Sequence, residues 1–272
     1  MEASRTLLDS ISGDSIPGDS TGRALAARSP VFRITPASLG LTLVLAIVTL
    51  AITSGLLLSP VRAGGPLTGV EFVVDPGHGG SDPGATGPGG LREADVNLRV
   101  GTMLRNYLAE YGGATVQMTR TSDVYVSLSD RANLANSWGA HRFISIHHNA
   151  SSDPSVNGTE TYAYTYGSSL SFDLRNKVHA QLLVWGGLPD RGAKTANFYV
   201  LKYTNMPAIL TEASFISNPY EEARLRQSEY TSREALAIYK GVLLHFDRSD
   251  LLVTPPGNIK LRDALSFPLP AW

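Results

Sequence analysis

From Ile34 to Val61 the chain carries no charged residue, and Ala37–Leu58, ASLGLTLVLAIVTLAITSGLLL, is almost wholly apolar. As a helix these 22 residues extend roughly 33 Å, at about 1.5 Å per residue, enough to cross a hydrocarbon core ~30 Å thick. Such a run does not belong to a water-soluble core, so it divides the chain before any other pattern is read. Arg23, Arg28 and Arg33 precede it and only Arg62 follows closely. That bias puts the N-terminus in the cytoplasm and the remainder outside. Val61-Arg62-Ala63 loosely fits a small-x-small cleavage site, but a secretory apolar region usually has about 7–15 residues. An uncleaved single-pass membrane anchor is therefore expected, with a cleaved, secreted form as the alternative. In both cases the folded part is extracytoplasmic.

The rest of the chain divides around this segment. Residues 1–36 are rich in Ser, Gly, Asp and Arg without sustained periodicity, as in a disordered cytoplasmic tail. Residues 59–69 form a Pro/Gly linker, reaching at most ~40 Å at about 3.5 Å per residue. A single domain is expected over 70–248, followed by a weakly patterned tail over 249–272. Within the domain, VEFVVD is nearly continuous and β-branched, as a buried strand should be. Val96, Val100, Met103, Tyr107 and Tyr111 then recur at helical spacing and stop at Gly112-Gly113. ATVQMT, RFISIHH, Gly158–Tyr166, NFYVL and PAILTE read as further strands. Helices are expected over Leu128–Trp138, around Leu174–Leu182, and after Asn218-Pro219. Thr231 and Glu234 have capping-box spacing, placing the start of a last helix there. Alternating strands and helices predict an α/β fold, a mostly parallel twisted sheet with helices on both faces.

Composition narrows the chemistry. There is no cysteine, which removes thiol nucleophiles, thiolate metal sites and disulfides. A net charge of −1 argues against nucleic acid as a partner. The loop VVDPGHGGSDPGATGPGG follows a strand, as phosphate-binding loops do. However, no lysine occurs before Lys177, and Pro83 and Pro88 interrupt the run, so no nucleotide is expected. Within the expected domain over 70–248, Gly-x-Ser-x-Gly, Ser-x-x-Lys and His-Glu-x-x-His are all absent.

Histidine and glutamate remain. His179 and His245 sit within helical patterns and His141 precedes a strand, and all three read as structural or surface residues. His78 follows the carboxyl end of one predicted central strand, and His147 and His148 lie at the end of another. In open α/β sheets that edge is where ligands bind. Adjacent strand residues point to opposite faces, so at most one of His147 and His148 shares a site with His78. Glu212 closes the apolar run PAILTE at the same edge, and Glu93 opens a helix. Two histidines and two carboxylates without cysteine are the donor set of a three-ligand catalytic zinc with a general base.

Six ordered blocks carry a further likeness: VVDPGHGGSDPGATGPGGLREADVNL, TRTSDVYVSLSDRANLAN, FISIHHNA, GTETY, RGAKTANFYVL and PAILTEASFISNPYEEARL. Over about Val70–Asp247 the chain resembles the zinc-dependent N-acetylmuramoyl-L-alanine amidases of the cell-separation and sporulation branch of cell-wall hydrolases. The resemblance implies one zinc ion held by His78, Glu93 and His147, with His148 at a variable position. It implies Glu212 as the catalytic base and then acid. The bond cut would be the amide joining N-acetylmuramic acid to L-alanine of the stem peptide, with peptidoglycan as partner. Asn149 and Arg191 are candidates for the substrate groove, and a monomer is expected. Competing expectations are a zinc carboxypeptidase or endopeptidase acting on stem peptides, and a wall-binding module without catalysis. The short stretch between His147 and GTETY leaves no room for the inserted helix that occludes the zinc in some members.

Overall fold

β1 (Glu71–Pro76) shows why the domain is layered. Its side chains alternate between two apolar surfaces, Phe72 and Val74 on one and Val73 on the other, and all three are fully buried. A strand with two buried faces has to lie inside a sheet covered on both sides. The computed structural model describes residues 64–248. The other strands are β2 (Thr115–Met118), β3 (Arg142–Asn149), β4 (Thr159–Tyr164), β5 (Asp190–Ala196) and β6 (Ala208–Phe215). Their order across the sheet is β2-β1-β3-β6-β4-β5. The first four run parallel. β4 lies antiparallel to β6 and carries β5 parallel to itself, so one edge of the sheet is reversed.

The larger apolar cluster covers one face. Here α1 (Glu93–Asn106), α3 (Ser169–Gly186) and α6 (Ser228–His245) pack Val96, Val100, Val178, Ile238 and Val242 against Phe72, Ile144 and Ile209. Burying one such side chain contributes about 1.5–3 kcal/mol. The opposite face is closed by α2 (Leu128–Trp138) and the one-turn α4 (Tyr199–Lys202), through Ala135, Val200 and Leu201 over Val73, Phe143 and Leu210. Caps agree with the sequence: Ser127 starts α2, and Asn218 with Pro219 starts α5 (Pro219–Leu225). α1 continues into a wide π-helical turn over Tyr107–Tyr111 before Gly112. Residues 150–158 join β3 to β4 without a helix.

Two elements differ from expectation. NFYVL is not a strand, because Val200 and Leu201 are both buried in the same apolar cluster, whereas a strand would send them to opposite faces. The strand is the preceding DRGAKTA, whose exposed edge position needs no apolar alternation. Thr231 and Glu234 do not cap α6, which starts at Ser228. Thr231 Oγ1 donates to the Ser228 carbonyl at 3.1 Å within the first turns, and Glu234 is turned into the core. Among the described residues no helix is long and apolar enough to cross a membrane. The expected anchor over 37–58 and the tails over 1–36 and 249–272 lie outside those residues.

Candidate functional site

The site forms where β1 and β3 end side by side, with Pro76 in register with Ile146. After Pro76 the chain turns sharply. Gly77 N–H donates to the Ile146 carbonyl at 3.0 Å, and His78 takes a left-handed φ of 61°. That conformation costs a non-glycine residue of order 1–3 kcal/mol and persists only where its surroundings hold it. Two buried arginines hold it here. Arg131 donates to the Pro76 carbonyl at 2.7 Å and the His78 carbonyl at 2.8 Å, while pairing with Asp75 at 2.7 Å. Arg120 donates to the Pro76 carbonyl at 2.9 Å and the Gly77 carbonyl at 2.8 Å. Burial and the neighbouring Arg131 lower Arg120 to about 10. Thr119 and Ser145 hydroxyls donate to Asp75 at 2.6 and 2.7 Å and complete the clamp.

Three side chains converge on this turn. The ligand atoms of His78, Glu93 and His147 lie within 4.8 Å of one another, a set able to hold a metal ion. Asp82 Oδ2 sits 2.8 Å from His78 Nδ1 and leaves Nε2 facing Glu93 Oε2 at 3.3 Å. A carboxylate on the outer nitrogen is how metal-binding histidines are oriented. His147 presents Nδ1 to Glu93 Oε1 at 2.9 Å. Its other edge lies against Gly77, where a Cβ would fall 2.1 Å from Nε2. Gly84, at φ 67°, gives the same clearance to Glu93 and His78. Glu93 is 4% exposed. Burial alone would raise its pKa, but hydrogen bonds from His147 and His78 hold it well below the usual carboxylate range. Burial also opposes the charge on His78, yet Glu93 and Asp82 raise it.

Glu212 stands beside this cluster, its Cα in register with His147 across β3–β6. Its Oε2 is buried without any hydrogen-bond partner. Burial, then repulsion from Glu93 and Glu160, pushes its pKa well above the usual range. A cleft of about 370 Å³ opens over His78, His147 and Glu212, walled by Tyr125, Phe198 and Tyr199.

Residues 72–243 match the family described as N-acetylmuramoyl-L-alanine amidase. The chain belongs to this family. The sporulation-specific N-acetylmuramoyl-L-alanine amidase of Bacillus subtilis is 43% identical over 162 residues, covering 59% of this chain and 62% of that protein. The amidase LytC of the same organism is 40% identical over 182 residues, covering 66% of this chain and 36% of LytC. The chain therefore spans less than two thirds of either relative's length. The crystal structure of N-acetylmuramoyl-L-alanine amidase from Clostridium difficile 630 superposes with a TM-score of 0.64 at 36% identity, covering 66% of this chain and 98% of that one.

Within this amidase-family domain, strand geometry separates the two adjacent histidines. His147 faces the cluster, and His148 is buried on the opposite side against Asn97 and Glu234. Asn149 and Arg191 meet at Glu160, with Asn149 Nδ2 donating at 3.1 Å and Arg191 Nε at 2.9 Å. Lys194 and Tyr162 also donate to this carboxylate, which is in register with Glu212. Neither Asn149 nor Arg191 is among the residues lining the cleft. Sequence reasoning did not find Glu160, Asp82, Arg120 or Arg131. The arginines lie in the quoted block TRTSDVYVSLSDRANLAN, but no periodicity marks a side chain that reaches back to a turn 44 or 55 residues earlier.

Proposed function

We propose that this chain is a zinc-dependent peptidoglycan amidase, hydrolysing the amide between the lactyl group of N-acetylmuramic acid and L-alanine of the stem peptide. The observation that carries the reading is one edge of one sheet. It joins a convergent His-Glu-His donor set to a half-buried glutamate, one of whose oxygens is buried without a partner. The donor set, with two imidazoles, one carboxylate and no thiolate, suits a catalytic zinc with an open position. Gly77 and Gly84 leave space for the two rings and the carboxylate to converge. When bound, zinc supplies Lewis-acid polarisation of the carbonyl and lowers the pKa of water toward neutrality.

The chain's own groups do the rest. His78 offers Nε2 because Asp82 holds its Nδ1, His147 offers Nδ1, and Glu93 offers an ionised carboxylate. The Glu212 carboxylate takes the proton from the attacking water and delivers it to the amine of L-alanine as the C–N bond breaks, a base turned acid. Its burial favours the protonated form that the second half of this transfer needs. Tyr125, Phe198 and Tyr199 exclude water around the substrate and position it through their apolar faces.

The uncharged run over 37–58, with arginines on its N-terminal side, supports an extracytoplasmic catalytic domain held near the membrane by an N-terminal helix. N-terminal sequencing of the mature protein checks this, and a chain starting near Gly64 would replace the anchored form with a secreted one. Mass spectrometry of digested muropeptides tests the activity. Free stem peptides beginning with L-alanine are expected, and intact lactyl-peptides with trimmed stems would overturn the amidase reading.

A further inference from the structure

β3 sends His147 to the cluster and His148 to the other side, between α1 and α6, where His148 is 1% and Glu234 0% exposed. Their surroundings are the larger apolar cluster, including Val96, Val100, Ile238 and Val242. Polar groups in such a place are costly unless each finds a partner. These form a chain. Glu234 Oε2 lies 3.1 Å from His148 Nε2, and His148 Nδ1 lies 2.8 Å from Asn97 Oδ1. Asn97 Nδ2 lies 3.2 Å from Glu93 Oε1 and 3.3 Å from the Gly77 carbonyl.

Donor accounting sets the direction of these bonds. Glu93 Oε1 and the Gly77 carbonyl both accept, so the Asn97 amide must turn its NH2 toward them. Its oxygen is then left to accept from His148 Nδ1–H, and one proton lies between His148 Nε2 and Glu234 Oε2. The backbone N–H of His148 also donates to Glu93 Oε1, at 3.2 Å. The last torsion of a glutamate is broad and roughly two-fold, so a carboxylate keeps one orientation only when its oxygens are held. Ala85 N–H holds Oε2 at 2.9 Å, and Asn97 with His148 holds Oε1.

We infer that His148 and Glu234, acting through Asn97, are positioning residues that hold the Glu93 carboxylate in its metal-binding orientation and thereby set zinc affinity. This rests on the reading of His78, Glu93 and His147 as the zinc site. Asn97 also touches the Gly77 carbonyl, so the chain reaches the turn that presents His78 as well. The imidazole supplies the inner end of the chain, and Glu234 keeps that ring from rotating.

The test is zinc affinity by competition with a chromophoric chelator at fixed pH, on the full chain. His148→Leu alone leaves Glu234 buried and unpaired and endangers folding, so it is made together with Glu234→Leu. The double variant keeps an apolar interior, and circular dichroism with a thermal melt verifies that it folds. Its zinc affinity is expected to fall about 10–100-fold. Adding Asn97→Leu to the double variant should cost little more, because all three act along one path. Glu234→Gln still donates to His148 Nε2 and should keep affinity within a few-fold of wild type. A folded double variant that binds zinc as wild type does overturns the inference while leaving the metal site standing. A wild-type chain that binds no zinc overturns the metal-site reading and this inference with it.

Discussion

Glu93 and Glu212 both stand beside His147, and the fold treats them in opposite ways. Glu93 opens α1, and its two oxygens meet five partners: His147, the His148 N–H, Asn97, Ala85 N–H and His78. Glu212 ends an apolar run, has no partner for Oε2, and faces two other carboxylates. The first is held ionised and fixed, and the second is held hungry for a proton. The contrast shows how one sheet edge can hold one carboxylate ionised and favour protonation of another without changing residue type, since desolvation favours the neutral acid unless hydrogen bonds answer it.

The strongest way to break the contrast is Glu93→Gln. It should abolish both zinc content, read by atomic absorption, and muropeptide hydrolysis. Glu212→Gln should separate the two, keeping stoichiometric zinc while kcat falls about 10²–10⁴-fold, the usual contribution of a positioned acid–base group. Retained hydrolysis in this variant would remove Glu212 from the mechanism. Gly77→Ala drives a methyl into the His147 ring and should weaken zinc binding and lower activity together, with Glu212 untouched. Titration calorimetry reads the first effect.

Glu160 sharpens the comparison from a third side. It is buried beside Glu212, and burial would raise its pKa, but hydrogen bonds from Lys194, Tyr162 and Arg191 keep it below 4.5. With the folded value below the unfolded one, its stabilisation is complete above pH about 4.5 and is lost as pH falls through the folded value. Glu160→Gln should therefore destabilise the domain by about 1–3 kcal/mol near neutrality. The figure is modest because Arg191 and Lys194 are about 40% exposed. Thermal melts across pH should also show a flatter acid limb in the variant than in the wild type.

Much of this architecture was legible before folding. Strand β1 is a continuous β-branched run and α1 a stripe at helical spacing, because burial on two faces or on one stripe leaves a local pattern. His78, His147 and Glu212 stood out because each follows or ends an apolar strand-like run, although β6 continues past Glu212 to Phe215, and the sheet edge is where ligands collect. β5 was not legible. It lies at the edge with most of its residues partly or fully exposed, so nothing forces alternation, and the aromatic run after it imitated a strand. The capping-box reading failed for a related reason: Thr231 and Glu234 have the right spacing, but their side chains answer to the core beneath α6.

Residue types and short-range periodicity alone determined an α/β domain, a metal-suited donor set without thiols, and a strand delivering two histidines of which only one could join it. Family likeness chose His147, whose ring lies against Glu93, while that of His148 meets Asn97 and Glu234. Only the tertiary structure decided what surrounds those groups. Arg120 and Arg131 clamp the His78 turn, Glu160 gathers Asn149 and Arg191, and Glu234 reaches His148 from 86 residues away. Periodicity records which face of an element is buried, because neighbours at fixed spacing share it. Partners brought together by packing leave no such spacing, so the polarity of a buried position is explained only by the side chain that meets it.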